Sequence, residues 1–120
     1  MMFIEQQPIE PDITVLRVQG RITAGRDSQE LEWKVEDLLN TGGKRIVLDI
    51  AGVTYLDSTG LGIIVTCGGK LKKTGGELRI SGATGTVAKT LVLCKVPEII
   101  PVFATLEQAA SSFDMAAGAA

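Results

Sequence analysis

The sequence predicts an α/β fold in which an opening β-hairpin leads into a mixed β-sheet of about five strands with about four helices. Two observations carry this prediction. After two strand-like segments, helix-like and strand-like segments alternate along the rest of the chain, and parallel neighbours in a sheet need such helical crossovers. The 120 residues are 45% apolar, which is enough for one continuous core without disulfides or metals.

Two short segments at the start of the chain form the predicted hairpin. Residues 13–19 alternate β-branched and polar positions before Gly20, which is the two-residue period of a half-buried strand. Residues 3–7 form the preceding strand, and the segment from Pro8 to Asp12 supplies the turn. We therefore expect the chain to open with an antiparallel strand pair.

An amphipathic helix and a buried strand follow the hairpin. Between Ser28 and Asn40, apolar residues recur at steps of three and four until a Gly-Gly pair ends the pattern. These apolar residues are Leu31, Val35, Leu38 and Leu39. Residues 45–50 form a nearly continuous apolar run, which is typical of a strand covered on both faces and predicts the central strand.

The rest of the chain repeats this alternation. A second helix over residues 61–71 is followed by two lysines and another Gly-Gly pair. The lysines suit the negative end of the helix dipole, and the glycines end the helix. We predict a strand at 77–81, a helix at 86–94, a strand at 100–103 and a helix at 106–113. Residues 1–113 are expected to form the domain. The small residues of the tail at 114–120 are expected to be disordered or to extend the last helix.

Charge and hydropathy lower the expectation for two classes of partner. The net charge is -2 and the isoelectric point is about 5.1, so there is no broad basic field for a nucleic-acid backbone. The first residues carry no basic stretch followed by an apolar run, and no segment reaches the roughly 18 apolar residues needed to cross a bilayer. We expect no direct contact with nucleic acid or membrane, and a cytoplasmic location.

The two cysteines give no sign of a metal or redox site. Cys67 and Cys94 stand apart in apolar surroundings, and the chain contains no histidine to complete a zinc set. We expect both to be buried, reduced thiols. No residue pattern calls for a metal or a cofactor.

The most unusual local sequence is residues 53–62, between the predicted central strand and the second helix. Asp57, Ser58 or Thr59 can cap the helix by accepting hydrogen bonds from its first free amides. The same helix start tolerates a phosphate, because unpaired amides and the helix dipole face it. Phosphorylation of Ser58 would add about -1.5 to -2 of charge beside Asp57. A partner surface built around the neutral hydroxyl would then be repelled.

Residues 57–62 read Asp-Ser-Thr-Gly-Leu-Gly. This segment resembles the motif of the STAS domain family, named for sulfate transporters and anti-sigma-factor antagonists, in which Asp-Ser-Ser/Thr-Gly-Leu-Gly follows the central strand. The resemblance extends over nearly the whole chain. It includes the strand closing at Gly20 and residues 47–50, 75–78 and 106–109. It implies a single STAS-like domain.

The antagonist branch of that family implies a function for the motif. In that branch the first serine of the motif is phosphorylated by a partner anti-sigma factor with serine kinase activity, and a serine phosphatase removes the phosphate. The resemblance implies that this serine is Ser58. The unphosphorylated protein binds the kinase and releases a sigma factor. By position, the expected contact residues are Asp57, Ser58, Thr59, Gly60 and Leu61. Whether the protein is a monomer or a weak dimer stays open.

Two alternatives stay open beside this prediction. Family members often carry an acidic residue in the loop after the second strand, whereas residues 20–25 here contain none. Because some STAS domains are not phosphoswitches, a scaffold or a transport-associated regulatory module is the second hypothesis. An enzyme is the third, since Ser58 beside Asp57 suggests a nucleophile, but without histidine the chain lacks the usual general base. We predict no catalytic residues.

Overall fold

The computed structural model describes the backbone of residues 2–119 and the side chains of residues 2–113. Its strands are β1 (Met2–Ile9), β2 (Ile13–Ile22), β3 (Arg45–Leu56), β4 (Glu77–Ser81) and β5 (Val102–Phe103). Its helices are α1 (Arg26–Asn40), α2 (Ser58–Lys73), α3 (Gly85–Leu93) and α4 (Leu106–Ala119), with a 3₁₀ turn at Val96–Glu98. Within this described part, no helix is both long and apolar enough to span a membrane.

The five strands lie side by side in chain order. β1 is antiparallel to β2, as expected of a hairpin, and each later pair is parallel. Helices connect the parallel strands: α1 joins β2 to β3, α2 joins β3 to β4, and α3 with the 3₁₀ turn joins β4 to β5. The predicted mixed α/β sheet with an opening hairpin is therefore confirmed.

The central strand β3 contributes to two apolar clusters, because successive side chains of a strand point to opposite faces. Ile46, Leu48 and Ile50 pack in the larger cluster with buried side chains of α1, α2 and α3. Val47 packs in the smaller cluster with Phe113 of α4. This burial on both faces accounts for the continuous apolar run of residues 45–50. It also holds in place the strand that precedes the candidate site.

β3 is longer than the sequence predicted. It continues to Leu56, six residues past the apolar run, with Val53 and Leu56 each 6% exposed. The pairing with β2 shifts register twice in this part, after Arg17 and after Gly20. Such bulges disturb the alternation of side chains, which hides the strand from a periodicity search. The strand consequently carries the chain directly to Asp57.

Other boundaries differ less. The predicted last strand shortens to Val102–Phe103, and the 3₁₀ turn at Val96–Glu98 was not predicted. The side chains of the predicted tail, residues 114–120, lie outside the part of the chain that the structure describes. The domain boundary after residue 113 therefore stays a prediction.

The two cysteines lie in different environments. Cys67 of α2 is buried, as predicted, whereas Cys94 is exposed, so the predicted burial of Cys94 is wrong. The reason is local, because α3 ends at Leu93 and the chain turns at Lys95, which has a positive φ of 60°. Cys94 is the C-cap residue of α3, and the chain returns to the core only after this turn, at the buried Val96.

This difference predicts unequal thiol reactivity. Burial, followed by the nearby Glu32 carboxylate, raises the pKa of Cys67 to about 12. Its reactive thiolate form is therefore scarce at neutral pH. Alkylation followed by mass spectrometry should modify Cys94 quickly and Cys67 only after denaturant is added. Cys94→Ala should abolish the fast phase, and rapid labelling of Cys67 in that folded variant would contradict the packing of α2.

Candidate functional site

The segment singled out in the sequence lies where β3 meets α2. β3 ends at Leu56, Asp57 caps α2, and Ser58 is the first residue of the helix. Asp57 has extended backbone angles, φ -90° and ψ 176°, as an N-cap residue requires. Its carbonyl accepts the first helical hydrogen bond, from the Leu61 amide at 2.9 Å. The capping interpretation of Asp57 is thus confirmed.

The Asp57 carboxylate joins two parts of the chain. Its Oδ1 accepts a hydrogen bond from the Gly60 amide at 2.7 Å. Its Oδ2 accepts one from the Ala24 amide at 2.9 Å. Ala24 lies in the loop between β2 and α1, which is 33 positions away in sequence. The carboxylate therefore fixes this loop against the start of α2.

These contacts set the charge state of Asp57. The amides of Gly60, Ala24 and Thr59, in decreasing order, lower the pKa of Asp57, although partial burial opposes them. The lowered pKa means that the carboxylate is ionised at neutral pH. The residue that precedes Ser58 in the chain is therefore negatively charged at neutral pH, and a phosphate on Ser58 would add its charge to that of Asp57.

The lowered pKa of Asp57 predicts a pH dependence of folding. A carboxyl whose pKa is lower in the folded state contributes stability above its unfolded pKa of about 3.9 and loses it as pH falls through the folded pKa. Asp57→Asn should therefore lower the free energy of unfolding at neutral pH, and the difference from the wild type should shrink on acidification. Urea titrations at several pH values measure this, and a pH-independent difference would contradict the role assigned to the carboxylate.

Ser58 and Thr59 present their side chains to solvent. Both are exposed, in the first turn of a helix whose last turn contains Lys70, Lys72 and Lys73. As the first residue of α2, Ser58 lies at the positive end of the helix dipole. Ser58 is therefore exposed in the folded domain, and a negative group at this position would meet a favourable dipole.

Gly60 and Leu61 lie in a different environment from the two hydroxyl residues. Both are buried, and Leu61 is only 8% exposed. A Cβ on Gly60 would lie 2.5 Å from the Ile22 carbonyl oxygen, so this position must be glycine for β2 to pack against α2. Gly60 and Leu61 therefore support the site from below, whereas Ser58 and Thr59 lie at its surface. Contact of these residues with a partner stays a prediction.

The ends of β2 and β3 flank this surface with two further side chains. Arg21 and Tyr55 are neighbours in register, and the Arg21 guanidinium lies 4.8 Å from the centre of the Tyr55 ring. Both are exposed, Tyr55 by 47%. Arginine and tyrosine are common at the centres of protein interfaces. Sequence reasoning gave neither a role, and only the position of Tyr55 inside the unusual segment could have indicated one.

The loop between β2 and α1 is fixed by its own hydrogen bonds as well. The Ser28 hydroxyl donates to the Thr23 carbonyl at 2.6 Å, and the Ser28 amide donates to the same oxygen at 3.2 Å. Gly25 has a φ of 94°, which favours glycine there. Together with the Asp57 contact, these bonds make residues 23–25 a structured border of the site. Among the side chains described, His, Cys, Asp and Glu form no group of three that could hold a metal.

Comparison with known proteins identifies the family of this fold and motif. The model of the STAS domain matches residues 6–109. The chain therefore belongs to the STAS domain family.

One relative and two solved structures illustrate the likeness. One relative is a Bordetella bronchiseptica protein named "Putative anti-sigma factor antagonist BtrV", to which the chain is 26% identical. The alignment covers 82% of this chain and 84% of the relative. An anti-sigma factor antagonist from Mycobacterium paratuberculosis superposes with a TM-score of 0.83 at 22% identity, covering 93% of each chain. The Bacillus cell fate determinant SpoIIAA in its phosphorylated form gives a TM-score of 0.72 at 16% identity, covering 92% of this chain and 99% of that one. At these identities the two structures establish the shared fold alone.

Proposed function

We propose that this protein is an anti-sigma-factor antagonist that switches partners according to the phosphorylation of Ser58. In this proposal the unphosphorylated protein binds an anti-sigma factor with serine kinase activity and thereby releases a sigma factor. One observation carries the proposal: Ser58 is exposed as the first residue of α2, beside an Asp57 carboxylate that two backbone amides hold in place. The names of the relatives support the same class of partner.

The position of Ser58 supports a switch that is operated by one phosphate. Transfer from ATP would form a bond between Ser58 Oγ and the γ-phosphorus and release ADP, and a base on the kinase would take the hydroxyl proton. The product would carry about -1.5 to -2 of added charge. Asp57 holds its position through Gly60 and Ala24, so the two negative groups would stand together. A partner surface fitted to the hydroxyl would then face repulsion and a bulky group.

Reversal requires a second enzyme in this proposal. A serine phosphatase would hydrolyse the Ser58 phosphate with water and restore the hydroxyl. The site suits repeated modification, because Ser58 is exposed while its neighbours Gly60 and Leu61 are buried. The phosphate would therefore change the surface of the domain and leave its core unaltered.

Phosphate transfer to Ser58 can be tested with the partner itself. The immobilised wild-type protein is used to capture a binding protein from its own cells, and magnesium and ATP are then added. We expect the wild type to gain one phosphate at Ser58 and release the partner. Ser58→Ala should capture the partner and keep it, and Thr59→Ala, which removes the neighbouring exposed hydroxyl, should behave as the wild type.

The same experiment separates the proposal from the alternatives. Phosphate on Thr59 would reject the switch. So would a wild-type protein that gains no phosphate and keeps its partner bound after ATP is added. Capture that is insensitive to Ser58 and to ATP would assign the chain to the scaffold or transport-associated module.

A further inference from the structure

β1 forms an edge of the sheet. It pairs with β2 on one side, and no strand in the described part of the chain lies on its other side. The free side of an edge strand presents backbone N–H and C=O groups that can pair with another chain. Edge strands are commonly protected by charged side chains, proline or bulges. β1 pairs with β2 without a register shift, and its only charged residue is Glu5, which already pairs with Arg17. Pro8, which lacks an N–H, limits the usable edge to residues 2–7.

Grooves lie on both faces of this edge, and Phe3 takes part in both. On the helix side, a cavity of about 550 Å³ separates β1 from α1 and is lined by Met2, Phe3, Ile4, Arg26, Glu30 and Lys34. On the opposite face, a cavity of about 390 Å³ is lined by Phe3, Ile4, Glu5, Arg17 and Gln19. Phe3 is 63% exposed. An added strand would place alternate side chains in the two grooves, which is how strand addition gains specificity.

We propose that the occupant of this edge is the β1 strand of a second copy of the chain, paired antiparallel about a twofold axis through Ile4. If both copies keep their helices on the same side of the joined sheet, opposed side chains must share a face. The twofold axis must then pass midway between two copies of the same residue. An axis at residue 3 would pair only residues 2–4 of the described strand. An axis through Glu5 would oppose two carboxylates, and an axis through Gln6 would engage Pro8. The Ile4 axis pairs Met2 to Gln6 and avoids both.

This register is complementary on each face of the joined sheet. It sets Ile4 against Ile4 of the second copy on the helix side. On the other face each Phe3 lies opposite Glu5 of the second copy, and the two Phe3 rings come within the diagonal reach of aromatic side chains. Phe3 of the second copy also approaches Arg17, which donates to Glu5 at 3.2 Å. The exposed ring of Phe3 would thereby be covered by the second Phe3 ring and by the Arg17–Glu5 ion pair.

The charges of α1 support a second copy over an unrelated strand. Arg26, Glu30 and Lys34 line the groove one helical turn apart, and none of them takes part in an ion pair within the described residues. The twofold axis makes the two α1 rows face each other in antiparallel order. With an offset of one turn, Glu30 of each copy faces Lys34 of the other, so the row complements itself.

Disulfide trapping tests the register directly. Residues on the axis have Cα atoms about 4.5–5.5 Å apart in an antiparallel pair, which suits a disulfide. In a Cys94→Ala background, Ile4→Cys should give a crosslinked dimer under mild oxidation. Gln6→Cys is the control, because its two copies would lie about 13 Å apart along the strands, at 3.3 Å per residue. Equal crosslinking of the two variants, or none with Ile4→Cys, would overturn the proposed register.

Charge swapping tests the same interface without oxidation. Phe3→Glu places a carboxylate opposite Glu5 of the other copy at two symmetric positions. It should raise the dissociation constant of the dimer at least tenfold, measured by analytical ultracentrifugation. Adding Glu5→Lys should restore association, because each glutamate then opposes a lysine. Val92→Glu is the matched control, since Val92 is 65% exposed on α3 and should leave association unchanged. A wild type that stays monomeric over the whole dilution series, or a dimer insensitive to Phe3→Glu, would overturn the proposal.

Discussion

Ser58→Asp is expected to lower the affinity for the anti-sigma partner at least about a hundredfold, or ~3 kcal/mol. The substituted carboxylate would stand beside the Asp57 carboxylate, which the amides of Gly60 and Ala24 hold in place. Two adjacent negative groups would then face a partner surface that fits a hydroxyl. Titration calorimetry with the purified partner measures the change, and Ser58→Ala should bind as the unphosphorylated wild type does.

A control variant separates local repulsion from a general effect of charge. Thr66 is exposed on α2, about two turns beyond Ser58, so Thr66→Asp adds the same charge to the same helix away from its start. We expect Thr66→Asp to keep its affinity. The fold of Ser58→Asp should be intact, because an acidic residue in the first turn of a helix is favoured by the dipole. Equal losses for the two variants, or wild-type affinity of Ser58→Asp, would contradict the switch.

Gly60→Ala should have the largest effect on folding, lowering the free energy of unfolding by ~3 kcal/mol. The added Cβ would lie 2.5 Å from the Ile22 carbonyl oxygen and 2.9 Å from the Ile22 Cγ2. Neither can yield easily, since Ile22 is fully buried and its carbonyl accepts the Asp57 amide at 3.2 Å. The end of β2 would have to move away from α2. Urea denaturation followed by circular dichroism measures the loss.

Gly62 is the matched control two residues further along α2. It is exposed, and a Cβ there would meet nothing within 4 Å. Since alanine is about 1 kcal/mol better than glycine inside a helix, Gly62→Ala should stabilise the protein slightly. Destabilisation of similar size in both variants would show that the loss at Gly60 reflects the helix and not its approach to β2.

The sequence allowed the architecture to be predicted because its elements follow simple periods. Leu31, Val35 and Leu38 are all buried on one side of α1, so their spacing of three and four indicated the helix correctly. The hairpin and the central strand were equally clear. The extension of β3 was not, because Gly52, Thr54 and Tyr55 are exposed and break the apolar run. Burial of Val53 and Leu56 depends on packing that only the folded domain provides.

The candidate site was predicted in position but not in construction. The motif located the start of α2 and the exposed Ser58. The contact between Asp57 and Ala24 left no trace in the sequence, because it uses a backbone amide of a distant loop, and any residue except proline offers that amide. The burial of Gly60 could not be predicted either, because it follows from the close approach of Ile22, which is distant in the sequence. Local sequence patterns predict helices, strands and their ends. The contacts of Asp57 and Gly60 arise instead from the crossover that brings β2 beside β3.

Intact-mass spectrometry of the protein isolated from its own cells tests the central claim most directly. We predict a fraction with one added phosphate, located at Ser58 by fragmentation, and we predict that this fraction is absent from material that co-purifies with the anti-sigma partner. Ser58→Ala should show no added mass. Absence of phosphate at Ser58 under every growth and stress condition, or equal phosphate in the free and partner-bound protein, would contradict the account.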